Sequence, residues 1–73
     1  MGKFEIEIAS LPTREDLVAE IFYDDDQWAQ ISKIDGELLV QFYSPSKDEF
    51  WEFPLDNVLL ALEKAKKKLL AIG

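Results

Sequence analysis

The residues with the clearest capacity for chemistry are three consecutive aspartates, Asp24, Asp25 and Asp26. Carboxylates are the hard oxygen ligands that Ca²⁺ and Mg²⁺ prefer. An EF-hand loop also needs alternating acids, a central glycine and a closing glutamate, whereas Ala29 and Asp35 stand at the last two of these positions. The run therefore predicts no EF-hand. Weak cation binding, a structural turn and a charged tip that contacts a partner all stay open.

Catalysis finds little support among the remaining residue types. The sequence contains no His and no Cys, so the usual neutral-pH acid/base and the thiolate nucleophile are both missing. Ser10, Ser32, Ser44 and Ser46 have no histidine to activate them. Carboxylate pairs are inevitable among 15 acidic residues, and 73 residues are too few to wall a substrate cleft. We expect a protein that is not an enzyme and that holds no metal or cofactor.

Aromatic residues next to the aspartates favour a protein interface. Tyr23 and Trp28 flank the run, and exposed Tyr and Trp often anchor protein complexes. The predicted contact region consists of Glu20, Tyr23, Asp24, Asp25, Asp26 and Trp28. In this hypothesis the acids steer and pair, while Tyr23 and Trp28 anchor. The alternative is an ordinary solvated face, since acids that alternate along a strand are typical of one.

The elements that must position these residues follow from hydrophobic periodicity. Period-2 alternation and strand formers predict strands over residues 3–9, 17–23, 27–34, 37–43 and 49–53. Asp35-Gly36 is typical of a two-residue type I′ hairpin turn. A 3.6-residue period then predicts a helix over residues 56–72. The predicted fold is a single α+β domain spanning residues 1–73: an antiparallel meander of four to five strands packed on one C-terminal helix.

The same patterns predict which side chains face the core. Strand parity places Trp28 opposite to Ala29 and Ile31, and leaves Val18 and Phe22 partly exposed. Asp56 is the expected helix N-cap, and Gly73 is expected just past the helix end. The predicted apolar stripe of the helix consists of Leu55, Leu59, Leu62, Ala65, Leu69 and Ile72. Glu5, Glu7, Glu20 and Glu52 are expected together on the sheet face away from the helix.

Charge divides unevenly along the chain. The 15 acids and eight bases give a net charge of −7. Residues 1–57 hold four bases and 14 acids, a net −10, while residues 58–73 hold four lysines and Glu63, a net +3. This acidity disfavours nucleic acid and anionic membranes as partners and favours a basic protein. With no Cys and no apolar run of about 18 residues, a cytoplasmic location is expected.

Several stretches carry a family resemblance: residues 19–32 (AEIFYDDDQWAQIS), 36–39 (GELL), 51–56 (WEFPLD) and 61–70 (ALEKAKKKLL). In style and order they resemble the small acidic immunity proteins that accompany polymorphic and contact-dependent growth-inhibition toxins in bacteria. The resemblance implies a cytoplasmic protein that binds and neutralises a cognate toxin domain, often a basic nuclease. It assigns no individual site residue.

Two other functions stay open from the residues alone. Leu60 and Leu70 lie off the predicted helix stripe, and a small meander leaves strand edges unpaired, so a homodimer or general interaction module is possible. An acidic surface can also mimic nucleic acid and block a DNA-binding protein.

Overall fold

A computed structural model describes residues 3–10, 17–45 and 49–72 of the chain. Within these residues, four strands form one antiparallel sheet in the order β1-β2-β3-β4, and one helix packs on it. The elements are β1 (Phe4–Ser10), β2 (Leu17–Tyr23), β3 (Asp26–Ile34), β4 (Glu37–Phe42) and α1 (Leu55–Ile72). The predicted α+β meander with a C-terminal helix is confirmed.

The β3–β4 turn has the predicted chemistry. Asp35 and Gly36 adopt φ angles of 52° and 82°, which is the left-handed region that a type I′ turn requires. Asp24 in the β2–β3 turn also has a positive φ, 55°, which aspartate tolerates better than most residues. Its backbone N–H donates to the carbonyl of Lys3 at 3.2 Å, so the turn is tied to the start of β1.

The predicted fifth strand is wrong, because residues 49–53 pair with no strand of the described sheet. Instead, this segment carries Trp51 and Phe53 onto the aromatic end of the sheet. Phe53 packs against Phe4, Tyr23 and Trp28 at ring-centre distances of 4.9, 4.6 and 5.8 Å. The aromatic side chains, rather than a backbone ladder, hold the segment in place.

A β-bulge explains why strand parity fails at Trp28. Ile21 pairs with Ala29 and Phe22 pairs with Gln27, so Trp28 is an extra residue in β3. Both Trp28 and Ala29 therefore join the core that faces α1, although they are adjacent in sequence. Val18, expected to be partly exposed, is fully buried; it lies on the central strand β2 between Ala9 and Ser32.

Helix α1 docks through part of the predicted stripe, since Ala65 and Leu69 are buried and Leu62 packs against the core. Its buried residues are Ala61, Ala65 and Leu69. Leu55, Leu59 and Ile72 of the predicted stripe are exposed instead. Small alanines at the contact let the helix lie close to β1 and β2. The helix begins one residue earlier than predicted: the carbonyl of Pro54 accepts from the N–H groups of Asn57 and Val58, so Asp56 lies within the first turn.

Gly73 lies outside the described residues, so the expected helix end is not described. No helix in the described part of the chain is long and apolar enough to cross a membrane.

Candidate partner-binding site

A cleft of about 330 Å³ opens beside the β2–β3 turn. Its lining brings the aspartate run together with the segment that precedes α1. The lining residues are Tyr23, Asp24, Asp25, Asp26, Pro45, Phe50, Trp51, Glu52 and Phe53. We call this feature the acidic cleft. It unites four carboxylate side chains with four aromatic rings, and its volume is at the small end of the range of ligand pockets.

The aromatic wall of the acidic cleft is built by packing on the sheet. Trp51 and Phe53 stack with ring centres 5.4 Å apart. Tyr23 meets Phe53 at 4.6 Å and Trp51 edge-on at 6.5 Å. The indole Nε1 of Trp51 also donates a 2.7 Å hydrogen bond to the carbonyl of Tyr43. These contacts hold the aromatic wall against the end of the sheet.

One aromatic ring of the acidic cleft is left largely uncovered. Phe50 is 65% exposed, whereas Trp51 and Phe53 are half-buried. A phenylalanine this exposed gains little from folding and is available to bury against a partner.

The structure divides the predicted contact region into three places. Tyr23, Asp24, Asp25 and Asp26 line the acidic cleft. Trp28 is 4% exposed and lies in the core against Phe4 and Phe42, so it is no surface anchor.

Glu20 does not line the cleft, because it lies on the other face of β2. There it stands opposite Glu7 of β1 and accepts a 3.2 Å hydrogen bond from Gln27. Glu52, expected on that same face with Glu5, Glu7 and Glu20, lies instead in the acidic cleft. The acids that were expected together therefore divide: Glu5, Glu7 and Glu20 lie on the face of the sheet away from α1, and Glu52 lies beside the β2–β3 turn.

Sequence reasoning missed the part of the cleft contributed by Pro45, Phe50 and Phe53. The signal was the aromatic density of residues 50–53 (FWEF) immediately before Pro54. This aromatic pattern predicts a strand. However, the proline and the change of period that follow it directly are also compatible with a segment that crosses the sheet.

Metal binding gains no support from the geometry. Among the described residues, no group of three His, Cys, Asp or Glu side chains is arranged to hold a metal ion. The acidic cleft combines negative charge with aromatic rings.

The chain has no match among protein-family models, curated proteins or solved structures.

Proposed function

We propose that this protein is a non-enzymatic binding protein that neutralises a basic toxin domain by receiving a cationic segment of it in the acidic cleft. The observation that carries this proposal is that one concave surface combines four carboxylates with the exposed ring of Phe50 and the stacked rings of Trp51 and Phe53. The resemblance to small acidic immunity proteins supplies the class of partner, and a nuclease that binds phosphates is the favoured member of it.

The chemistry of the cleft suits arginine and lysine. Carboxylates form charge-assisted hydrogen bonds with both side chains, and arginine can bind one carboxylate through two parallel bonds. Aromatic faces attract the same cations through their quadrupoles. A nuclease needs a cationic cleft to bind phosphates, so an acidic inhibitor can occupy that cleft in place of the substrate. Long-range attraction between the net −10 of residues 1–57 and such a cleft speeds association.

The proposal is tested with the product of the neighbouring reading frame as the probe. Equimolar protein should abolish the activity of this partner, and association rates should fall steeply as salt rises. Changing Asp24, Asp25 and Asp26 to Asn should slow association by about 10-fold or more and flatten the salt dependence. Asparagine is chosen because it tolerates the positive φ of Asp24.

A matched variant removes three charges elsewhere. Changing Glu5, Glu7 and Glu20 to Gln gives the same net charge but leaves the acidic cleft intact. If both triple variants slow association equally, only net charge matters and the cleft is not the site. If the unmodified protein neither binds nor inhibits the probe, the proposed function is wrong.

Affinity is tested separately at Phe50. Because this side chain is mostly exposed, Phe50→Ala should leave the free energy of unfolding within about 0.5 kcal/mol of the original. As an anchor it should raise the dissociation constant of the complex by about 30-fold, the effect of a hot-spot residue. Binding that is indifferent to Phe50 would contradict its role as an anchor in the cleft.

A further inference from the structure

The two edge strands of the sheet, β1 and β4, differ in the charged groups that they carry. The β1 edge carries the exposed acids Glu5 and Glu7, and the Lys68 ammonium lies 3.4 Å from the Ile6 carbonyl. Charges of this kind normally prevent an edge strand from pairing with another chain. On β4, by contrast, residues 38–42 (LLVQF) contain no charged residue and no proline, and their register with β3 is uninterrupted. Among the described residues, the β4 edge is therefore protected by a charge only at its first residue, Glu37, and not from Leu38 to Phe42.

Hydrogen-bond alternation shows which backbone groups are free at this edge. The N–H of Tyr43 donates to the Trp28 carbonyl at 3.0 Å, so Tyr43 points its backbone groups toward β3. Backbone direction alternates along a strand, so the groups of Leu38, Val40 and Phe42 point away from β3 to the free edge. These three residues also share one side of the sheet with Ala29 and Ile31 of the core, the side on which α1 lies.

Helix α1 leaves the β4 half of that side bare. It packs against β1 and β2, and Lys68 reaches over the β1 edge. Val40 is 47% exposed and Phe42 is 57% exposed. At about 100° per residue, Leu55 and Leu59 lie on the flank of α1 opposite to Lys64 and Lys68, facing the bare half, and both are exposed. Apolar side chains thus line both the floor and one wall of this region.

We propose that β4 is a homodimerisation edge, at which a second copy of this chain adds its own β4 in antiparallel orientation about a two-fold axis at Val40. The free backbone groups restrict hydrogen-bonded pairing to residues 38, 40 and 42, and the register centred on Val40 is the one that pairs all three. Leu38 pairs with the partner's Phe42, and Val40 pairs with its own copy, with two hydrogen bonds for each such pair.

Pairing in this register is self-complementary in side chains as well. The residues with free backbone groups all lie on the α1 side, so both helices lie on the same face of a continuous eight-stranded sheet. Leu38 lies opposite the ring of Phe42 of the second copy, and Val40 lies opposite Val40 of the second copy. Both are favourable cross-strand pairs. Glu37 stands opposite the partner's Tyr43, so the two Glu37 carboxylates are kept apart. A foreign basic strand would find no acid along residues 38–42 to recognise.

The accessible surface of the chain can be compared with the area that a dimer interface needs. The accessible surface is 5484 Å². A monomer of 8.4 kDa is expected to expose about 4,600 Å², so the excess is about 900 Å². One partner of a standard interface hides about 800 Å². The exposed surface is therefore large enough for an interface of this size.

Sedimentation equilibrium of the full chain tests the dimer. We expect a reversible monomer–dimer equilibrium that tightens as salt rises, because two copies of net charge −7 repel each other. Binding of a basic partner in the acidic cleft has the opposite salt dependence, so failure of one proposal is distinguishable from failure of the other. A monomer at millimolar concentration in high salt would overturn the dimer.

Two variants locate the interface. Val40→Lys places like charges against each other at the axis and should raise the dimer dissociation constant by about 100-fold or more. Leu60→Lys makes the same kind of change at an exposed helix position on the β1 side and should leave the constant unchanged. A dimer that resists Val40→Lys, or that is lost equally with Leu60→Lys, would place the interface elsewhere and overturn the proposal.

Amide hydrogen exchange of the unmodified chain tests β4 pairing independently. Because no residue is substituted, a folding defect cannot account for the result. In the monomer the amides of Leu39 and Gln41 are bonded to β3 and protected, while those of Leu38, Val40 and Phe42 exchange quickly. As concentration rises, these three amides should become protected together. Dimerisation without that change would exclude β4 pairing.

Discussion

The indole N–H of Trp51 donates to the backbone carbonyl of Tyr43 at 2.7 Å. This bond joins the segment before α1 to the end of β4, across eight residues of chain. It fixes the aromatic wall of the acidic cleft, because Trp51 stacks on Phe53 and Phe53 packs on the sheet. This side chain-to-backbone bond thus acts together with the packing of Phe53 to hold the segment on the sheet.

Removing the Trp51 indole N–H should lower the free energy of unfolding by a measurable amount. Trp51→Phe keeps a ring in the wall but leaves the Tyr43 carbonyl without its partner, so the free energy of unfolding should fall by about 1 kcal/mol. Urea unfolding at one fixed protein concentration measures it. Phe50→Leu, a change at an exposed ring of the same segment, is the control and should cost less than about 0.5 kcal/mol. Equal effects of the two variants would mean that the bond contributes nothing.

The bulge residue Trp28 should be the most sensitive position of the aromatic cluster. Its ring meets Phe4, Phe42 and Phe53 within 5.8 Å and is almost fully buried. Trp28→Ala should cost about 3–5 kcal/mol, because it removes a large buried ring and leaves a cavity. In a domain this small such a loss should leave much of the chain unfolded, which far-UV circular dichroism detects. The control is Leu70→Ala, at an exposed helix position, which should retain the circular dichroism spectrum of the folded protein. A Trp28→Ala variant that stays folded would contradict the placement of Trp28 in the core.

Local periodicity was sufficient for the architecture. Alternation in β1 and the Asp35-Gly36 turn both depend on neighbouring residues, and the strands and turn they predict are present. Trp28 was placed on the wrong side because a bulge adds one residue to a strand, and its presence depends on the pairing with β2 rather than on β3 alone. A sequence pattern has no access to that pairing.

Docking of the helix and assembly of the cleft depend on packing between distant segments. Leucine is more apolar than alanine, so leucine spacing favours Leu55 and Leu59 over Ala61. The sheet instead contacts Ala61, together with Ala65 and Leu69 of the predicted stripe. The aspartates of the cleft were found from sequence, because they are adjacent. Phe50 and Glu52 were not joined to them, since a chain crossing between β4 and α1 brings them there.

The β3–β4 turn offers a test of backbone strain without steric complication. A Cβ added at Gly36 would meet no atom within 4 Å, so Gly36→Ala is penalised only by its φ of 82°. We expect a loss of about 1–2 kcal/mol in the free energy of unfolding. Asp35→Asn is the matched control in the same turn, and it should be nearly neutral because asparagine also adopts positive φ. A neutral Gly36→Ala would mean that the turn relaxes to another type.

The orientation of α1 can be tested with substitutions at two positions of the predicted stripe, one that is buried and one that is exposed. Ala65 is fully buried against the sheet, so Ala65→Leu forces extra methyl groups into a packed contact and should cost about 1–3 kcal/mol. Leu59 is 54% exposed, so Leu59→Ala should change the free energy of unfolding by less than about 0.5 kcal/mol. The stripe predicted from leucine spacing alone requires the reverse for Leu59, a loss of about 2–5 kcal/mol on truncation. Chemical denaturation of both variants at the same low protein concentration, where monomer prevails, therefore decides which face of the helix contacts the sheet.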